Sequence, residues 1–369
     1  IASPLSVSQL LDGNSRHFDV VLFDEASQVL PEEAVSSLSR AEQVVVAGDR
    51  HQLPPTTFFT TSIEEDEEEE EKQATMEAIS GFESLLDILA TFLPNWMLEW
   101  HYRSQDERLI AFSNHHIYNG RLVTFPSAEA QETIMHKLVS SSPGRSAQEE
   151  SSSQEIQEVI ELVMEHARRR PHESLGVITM GIKHANRIQA ALDRELASGT
   201  FDNDFFMLDK KEPFFIKNLE TVQGDERDAI ILSIGYGKNA EGDLPHRFGP
   251  LTHDTGHRRL NVAITRARRR ITVVSSFSHH EIDLRRSGSR GVELLKLYLE
   301  YTASGGKLLP GTSQADRVPL NPFEADIKDA LEACGIPLLT QYGASRYRID
   351  LVALHPEKPG RPVLAIECD

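Results

Sequence analysis

The stretch that decides the fold runs from Phe18 to Pro55 and reads FDVVLFDEASQVLPEEAVSSLSRAEQVVVAGDRHQLPP. Two short apolar runs, 20–23 and 44–47, are separated by a helical stretch and bounded by turn residues, which predicts two buried parallel strands. Polar residues follow both runs: Asp24, Glu25, Asp49 and Gln52. Since ligands of open parallel sheets bind beyond the carboxyl ends of the strands, we expect these side chains to meet at one sheet edge.

These residue types suit a site for a nucleoside triphosphate and Mg²⁺. Asp24 can hold Mg²⁺ through its water ligands, and the neighbouring Glu25 can polarise an attacking water. Gln52 can orient that water or sense the terminal phosphate. Two core strands with ordinary polar turns are the alternative, and the tandem of DEASQ and GDRHQLPP argues against it.

Both segments resemble motifs II and III of superfamily 1 helicases, in the branch typified by the nonsense-mediated-decay helicase. Residues 3–10 resemble the segment that precedes motif II in the same branch, and the short SAT motif of the DEAD-box superfamily is absent. The resemblance implies a RecA-like α/β fold, ATP and Mg²⁺ as cofactors, and Asp49 as a further nucleotide-binding residue.

The length of 369 residues predicts two or three domains. The composition, 39% hydrophobic and 26% charged, is typical of a soluble globular protein, and no apolar stretch reaches the length of a membrane span. Two cysteines, Cys334 and Cys368, are too few for a disulfide framework, so we expect a reducing, cytoplasmic setting. No signal peptide is visible, and oligomeric state is left open.

The net charge of −19 argues, as an average, against nucleic-acid binding. Eight of those negative charges lie in one acidic run, 64–71, which is expected to be a solvated loop. Binding depends on local patches, so the total does not exclude a nucleic-acid partner.

The chain divides, by sequence, into four segments of an α/β protein. We expect two RecA-like parallel-sheet domains, the first incomplete, and a truncated restriction-endonuclease-like α/β domain. The predicted segments are 1–92 (motifs II and III), 93–280 (motifs IV, V and VI), 281–316 (a linker with a helix over 291–301) and 317–369. Predicted elements are helices over 82–92 and 155–170 and strands over 175–180, 229–234 and 271–275.

Residues 98–104, LEWHYRS, resemble motif IV, and the resemblance implies that Arg103 reaches the phosphates. Taken alone, the tripeptide around Arg103 favours a surface salt bridge instead. Residues 221–233 resemble motif V, with Val222 in place of the usual Phe. Gln223 and Gly224 predict a tight turn whose N–H groups can face an anion, and the resemblance implies that Glu226 contacts the nucleotide sugar or phosphate network.

Residues 258–270, RRLNVAITRARRR, resemble motif VI and contain six arginines and no acid. The resemblance implies that Arg266 is an arginine finger, which can accelerate phosphoryl transfer on the order of 10³-fold. A basic surface helix followed by a strand is the alternative.

Together the motifs imply ATP hydrolysis between two RecA-like domains, coupled to movement along single-stranded or duplex nucleic acid, with no membrane partner. The resemblance suggests 5′-to-3′ movement. The phosphate-binding loop GxxxxGK followed by Ser or Thr is not present in these residues. We therefore expect that the chain is a fragment and that it does not hydrolyse ATP at a useful rate by itself.

The tail resembles the start of a PD-(D/E)xK nuclease related to the very-short-patch repair endonuclease. Residues 321–335 predict a capped helix, and the resemblance implies Asp350 and Glu367 as metal ligands with Glu324 as a helper. Asp369 replaces the usual lysine, which puts cleavage in doubt. A strand with solvent-facing acids is the alternative. The nuclease-like tail favours DNA over RNA as the substrate.

Two other functions remain open. The chain could belong to an effector nuclease that uses a helicase fold as a nucleic-acid sensor, or to a non-catalytic binding module. Every motor position keeps a competent residue type, which argues against the binding module.

Overall fold

The computed structural model describes residues 1–11, 18–55, 84–127, 133–140, 152–198, 203–207, 210–238, 243–245, 248–309, 319–343, 347–358 and 360–368. The chain separates into two compact units, unit 1 over Ile1–Met97 and unit 2 over Leu98–Asp369. The acidic run 64–71 lies outside the described residues. In the part that is described, no helix is long and apolar enough to cross a bilayer.

Unit 1 is built on a pair of parallel strands. Its elements are α1 (Pro4–Leu10), β1 (Phe18–Phe23), α2 (Pro31–Leu38), β2 (Ala41–Val46) and α3 (Leu85–Leu89). The two strands pair in register from Phe18 opposite Ala41 to Phe23 opposite Val46, so their carboxyl ends coincide. The predicted parallel pairing is confirmed. The helix predicted over 82–92 is shorter, because Ser84 caps α3 at its start, and residues 82–83 are outside the described part.

The prediction that both strands are buried is wrong. One face packs on a small core that contains Phe23, Ala34 and Leu85. On the other face large apolar side chains are exposed, Leu22 by 64%. Since successive side chains of a strand point to opposite faces, a continuous apolar run cannot tell whether both faces are covered.

Unit 2 contains a five-stranded sheet in the order β3-β7-β6-β4-β5, with every neighbouring pair parallel. Its elements are α4 (Arg108–His116), β3 (Ile134–Leu138), α5 (Ser153–Arg169), β4 (Leu175–Thr179), α6 (Ile182–Ala197), β5 (Phe215–Asn218), β6 (Arg227–Ser233), α7 (Gly256–Ile264), β7 (Ala267–Ser275) and α8 (Arg290–Ala303). The predicted strands and the helices over 155–170 and 291–301 are confirmed within one to four residues.

The core of unit 2 explains why these strands are predictable. Every residue of β4 is buried, as are five of the seven residues of β6 from Ala229 onward. Valine, isoleucine and leucine fill these central strands, and α5 and α6 pack their apolar faces on them. A parallel sheet covered by helices needs such continuous apolar strands.

The tail forms a helix and a three-stranded antiparallel sheet: α9 (Pro322–Ala333), β8 (Leu338–Tyr342), β9 (Ile349–Leu354) and β10 (Pro362–Ile366). The predicted helix cap is confirmed, because the side chain of Asn321 accepts a hydrogen bond from the Glu324 N–H in a capping box. The Tyr342 hydroxyl donates to the carbonyl of Ser127 at 2.9 Å, so the tail contacts the segment that follows α4.

Candidate functional site

The first group of predicted site residues lies at the carboxyl ends of β1 and β2. Asp24 and Glu25 directly follow β1 and are exposed. Glu25 adopts a left-handed backbone conformation, with φ of 52°, and its N–H donates to Asp24 Oδ1 at 3.0 Å. A non-glycine residue rarely takes this conformation, which is often found at functional sites. The sharp turn holds both carboxylates in solvent at the strand end.

The second strand ends in a turn that is organised by Asp49. Its carboxylate accepts hydrogen bonds from the His51 N–H at 2.9 Å and from Gln52 Nε2 at 3.2 Å. The Gln52 N–H also donates to the Asp49 carbonyl at 3.1 Å. Asp49 therefore orients the Gln52 side chain, which is the kind of support that a water-positioning amide needs.

Gly48 allows the two strand-end loops to approach each other. A Cβ at this position would lie 3.0 Å from the Ser27 nitrogen and 3.2 Å from the Ala26 nitrogen. The Ala26 N–H donates to the Ala47 carbonyl at 2.9 Å, which links the loops directly. All four predicted residues of unit 1 are thus brought to one edge, as the sequence predicts.

The carboxylates of this edge suit a hydrated divalent cation. Mg²⁺ keeps several water ligands and needs only one or two protein carboxylates. Asp24 is exposed, follows a strand end and has an exposed acidic neighbour in Glu25. No group of three or more His, Cys, Asp or Glu side chains gathers as a metal cage in the described part of the chain. The residues fit a water-mediated Mg²⁺ and do not form a closed protein cage.

The second group of predicted residues, in unit 2, lies near the amino ends of β6 and β7. Arg103 Nε lies 2.9 Å from Glu226 Oε2, so the motif IV arginine and the motif V glutamate form an ion pair. His101 supports this segment, since its Nε2 lies 2.9 Å from Ser104 Oγ. Burial and the Arg103 cation lower the pKa of His101 to about 4, so the ring is neutral near pH 7. Arg103 thus forms the salt bridge that the alternative interpretation predicts, and its partner is a second predicted site residue.

The turn before β6 has the predicted form. Gly224 has φ of +81°, and the Asp225 N–H closes the turn on the Val222 carbonyl at 3.2 Å. Val222, which replaces the usual Phe, is fully buried. Among the described residues, the buried Gln223 Nε2 finds no hydrogen-bond acceptor. An unpaired buried amide at a glycine turn fits a bound oxygen-rich ligand, because such groups are otherwise paired.

Arg266 lies two residues after the last residue of helix α7 and is buried, with 4% of its surface exposed. Its Nε donates to the Val262 carbonyl at 2.8 Å and its Nη2 lies 3.2 Å from Thr265 Oγ1. The first bond satisfies one carbonyl of the last helical turn, and both bonds place the cation at the negative end of the helix dipole. The Arg266 carbonyl also accepts the Arg227 N–H at 3.1 Å, next to the motif V turn.

Arg268 is a residue of this region that the sequence prediction missed. Its guanidinium contacts three carboxylates, those of Glu212, Glu226 and Asp228. The only sequence signal is its place in the basic run 266–270, which does not distinguish its members.

A second group that was missed lies at the carboxyl end of β6. The buried Glu155 accepts hydrogen bonds from Ser233 Oγ and from the Gly235 N–H, both at 2.7 Å, and His184 Nε2 lies 2.7 Å from Ser233 Oγ. Burial raises the pKa of Glu155 to about 7 and, with the nearby Arg187 cation, lowers that of His184 to about 3. Glu155 and His184 lie on different helices, α5 and α6, and no hydrophobic periodicity of the sequence indicates that their side chains meet.

The tail brings its predicted acids only partly together. Gln341 Nε2 lies 3.4 Å from both Glu324 Oε2 and Asp350 Oδ1, and the Cys368 N–H donates to Asp350 Oδ2 at 2.8 Å. Glu367 lies just beyond β10, is exposed, and its Oε1 lies 3.3 Å from the Tyr347 hydroxyl. Asp369 is outside the described residues.

The fold defines a class of proteins: parallel-sheet, RecA-like α/β domains. Two family profiles, each described as an AAA domain, match residues 78–278 and 2–60. The chain therefore belongs to the AAA domain family, in the superfamily 1 helicase branch related to the nonsense-mediated-decay helicase.

Similar proteins carry helicase and DNA-binding names. The "Uncharacterized ATP-dependent helicase MG140" of Mycoplasma genitalium is 34% identical over 79% of this chain and 26% of its own length. "DNA-binding protein SMUBP-2" of Mesocricetus auratus is 27% identical over 70% of this chain and 25% of its own length. This chain thus spans about a quarter of these curated relatives. The solved "structure of PRRSV helicase" aligns with 69% of this chain and 34% of its own at 14% identity, with a TM-score of 0.30, too low to bear on function.

Proposed function

We propose that this chain forms part of an ATP-dependent superfamily 1 helicase or translocase that acts on nucleic acid. The observation that carries the proposal is the ion pair between Arg103 and Glu226 at 2.9 Å, because it unites motifs IV and V beside β7, the strand that begins within motif VI. The four polar residues at the strand ends of unit 1 support it independently.

Each unit has its own chemical role in this proposal. In unit 1, Asp24 holds hydrated Mg²⁺, Glu25 polarises the attacking water and Gln52, oriented by Asp49, positions that water. Mg²⁺ held there would supply neutralisation of negative phosphate charge. In unit 2, Arg103 and Arg266 supply positive charge for the transition state, and Gln223, Gly224 and Glu226 contact the nucleotide.

The nucleic-acid substrate is proposed to be DNA. The relative from Mesocricetus auratus is named a DNA-binding protein, and the tail resembles nucleases of DNA repair. Its acids give a second candidate function, metal-dependent phosphodiester cleavage with Asp350 and Glu367 as ligands. The hydrogen bond from the Cys368 N–H to Asp350 Oδ2 supports this candidate, because it brings Asp350 beside the residue that follows Glu367. An effector nuclease whose helicase fold only senses nucleic acid is the alternative to a motor.

The substitution Glu25→Gln in the full-length protein tests the proposal. It removes the carboxylate that polarises water and keeps the shape of the side chain, so we expect ATP turnover to fall roughly 10²- to 10³-fold. Glu32→Gln, on an exposed position of α2, is the matched control and should leave turnover unchanged.

Unwinding and cleavage of a DNA duplex are measured with the same two variants. Loss of both activities in Glu25→Gln supports a motor that feeds the tail. Loss of unwinding with cleavage intact supports the effector nuclease. Unchanged ATP turnover in Glu25→Gln would contradict the helicase proposal itself.

A further inference from the structure

Arg268, the second residue of β7, connects three separate segments of unit 2 through its side chain. Its Nη1 and Nη2 atoms lie 2.7 Å and 2.5 Å from the two carboxylate oxygens of Glu212, a bidentate pair. Its Nη1 also lies 3.3 Å from Glu226 Oε1, and its Nη2 lies 3.1 Å from Asp228 Oδ1. The planar guanidinium can serve several carboxylates at once, which a lysine cannot do with the same geometry.

The main chain of Arg268 makes a further connection. Its carbonyl accepts the N–H of Gln105 at 2.8 Å, two residues after Arg103. Glu226 contacts Arg268 through Oε1 and Arg103 through Oε2. Arg103 is therefore held from two sides: its backbone segment is fixed to β7, and its side chain is fixed to a carboxylate that Arg268 holds.

The charges show why Arg268 is needed here. Three carboxylates converge on its guanidinium, and like charges at such short range repel one another. The hydrogen bond from Arg268 is the main reason that the pKa of Glu212 is lowered to about 2. Without Arg268, Glu226 would keep its ion pair with Arg103 but lose the contact that holds its other carboxylate oxygen, so its orientation would be less restricted.

We propose that Arg268 is a positioning residue for ATP hydrolysis: it fixes Glu226 and the 103–105 segment so that Arg103 is presented in one geometry. This inference rests on the proposed function. Its neighbour Arg269 lies on the same strand and is also ion-paired, with Glu173 at 3.6 Å and Asp228 at 3.5 Å, but it contacts neither Glu226 nor Arg103 in the described contacts. Arg269 is thus a natural control.

The test compares Arg268→Ala, Arg268→Lys, Arg269→Ala and Arg103→Ala in the full-length protein. Steady-state ATP hydrolysis gives kcat and KM, and thermal unfolding reports folding. We expect Arg268→Ala to lower kcat roughly 10- to 100-fold, the scale of a misplaced catalytic group, with KM within about threefold. Arg268→Lys keeps the charge and should recover part of kcat, and Arg269→Ala should stay within about twofold of the unmodified protein.

The double variant Arg103→Ala/Arg268→Ala separates positioning from a general structural role. If Arg268 acts through Arg103, its loss should cost nothing more once Arg103 is absent, so kcat should match that of Arg103→Ala alone. Multiplicative losses in the double variant, or equal kcat values for Arg268→Ala and Arg269→Ala, would overturn the inference. Should Arg268→Ala fail to fold, Arg268→Lys and its double variant with Arg103→Ala decide the question in the same way.

Failure of this inference is distinguishable from failure of the proposed function. A strong effect of Arg103→Ala with a silent Arg268→Ala removes only the positioning role of Arg268. A silent Arg103→Ala removes the phosphate-contacting role on which both proposals depend.

Discussion

The carboxyl ends of parallel strands are used differently in the two units. In unit 1 they carry Asp24 and Glu25, both exposed to solvent. In unit 2 the carboxyl end of β6 carries a buried cluster of Glu155, Ser233 and His184. The charged residues proposed to contact ATP in unit 2 lie at the opposite, amino ends of β6 and β7.

The carboxyl end of a parallel strand can therefore carry exposed residues for chemistry, as in unit 1, or buried residues for packing, as in unit 2. The exposed edge of unit 1 depends on local turns, with partners one to three residues apart along the chain. The carboxylates around Arg268 lie 40 to 56 residues from it along the chain. Substitutions at the two kinds of site should therefore differ in whether they change turnover, stability or both.

The largest expected effect is at Arg266, in the network of unit 2. Replacement by Ala should lower ATP turnover on the order of 10³-fold, since it removes a proposed arginine finger. It should also destabilise the protein, because the side chain is buried and bonds the end of α7. Arg266→Lys keeps a cation and separates the two effects. ATP turnover per folded molecule and thermal unfolding followed by circular dichroism measure the two effects. Normal turnover in both variants would exclude the arginine-finger role of Arg266.

The next effect concerns the buried cluster at the carboxyl end of β6. The pKa of Glu155 is raised by burial from its usual 4.5 to about 7. Its contribution to stability is therefore complete below about pH 4.5 and is lost as the pH rises through about 7. His184, with a pKa lowered to about 3, contributes oppositely: its part is complete above about 6.5 and is lost as the pH falls toward 3.

Glu155→Gln isolates the first of these contributions. Because His184 titrates in both proteins, the difference in unfolding free energy between variant and unmodified protein reports Glu155 alone. Between pH 5 and pH 7 the unfolding free energy of Glu155→Gln should rise by about 2 kcal/mol relative to that of the unmodified protein. Urea unfolding at several pH values measures it. If the difference between the two unfolding free energies did not change with pH, Glu155 would have to be charged in the folded protein, and the cluster would not be a neutral, buried packing contact.

A smaller effect is expected at the motif V turn. Gly224 has φ of +81°, and a Cβ there would meet nothing within 4 Å. Gly224→Ala should therefore destabilise through the backbone alone, by roughly 1–2 kcal/mol. Gly288→Ala is the matched control, since it is equally open and is not left-handed. Equal unfolding midpoints for the two variants would argue against a strained turn.

The smallest effect on stability is expected at Glu25, in the exposed edge of unit 1. Glu25 has a left-handed backbone conformation, which glycine adopts without strain. Glycine also raises the entropy of the unfolded chain, which offsets part of this gain, so Glu25→Gly should stabilise the protein by at most about 1 kcal/mol. Glu25→Gln keeps the strain and should leave stability unchanged. Both should lose ATP turnover. Chemical unfolding of the two variants compares them directly, and a less stable Glu25→Gly would show that the turn is not strained.

The strand ends of unit 1 and the central strands of unit 2 could be predicted because their signals are local. Asp24, Glu25, Asp49 and Gln52 follow apolar runs at short spacing, and β4 and β6 are continuous apolar segments. Helices α6 and α4 were not predicted. The exposure of Leu22 was predicted wrongly, because burial of a second sheet face depends on what packs there.

The parallel α/β architecture, the acidic strand-end edge and the glycine turn at Gly224 can be predicted from the sequence, since each follows from local pattern and backbone preference. The pairing of Arg103 with Glu226, the contact of Arg268 with Glu226 and the burial of Glu155 beside His184 depend on the three-dimensional fold. The reason is physical: ion pairs and buried hydrogen bonds join residues that are distant in the chain, and no local pattern records which of several charged residues will meet.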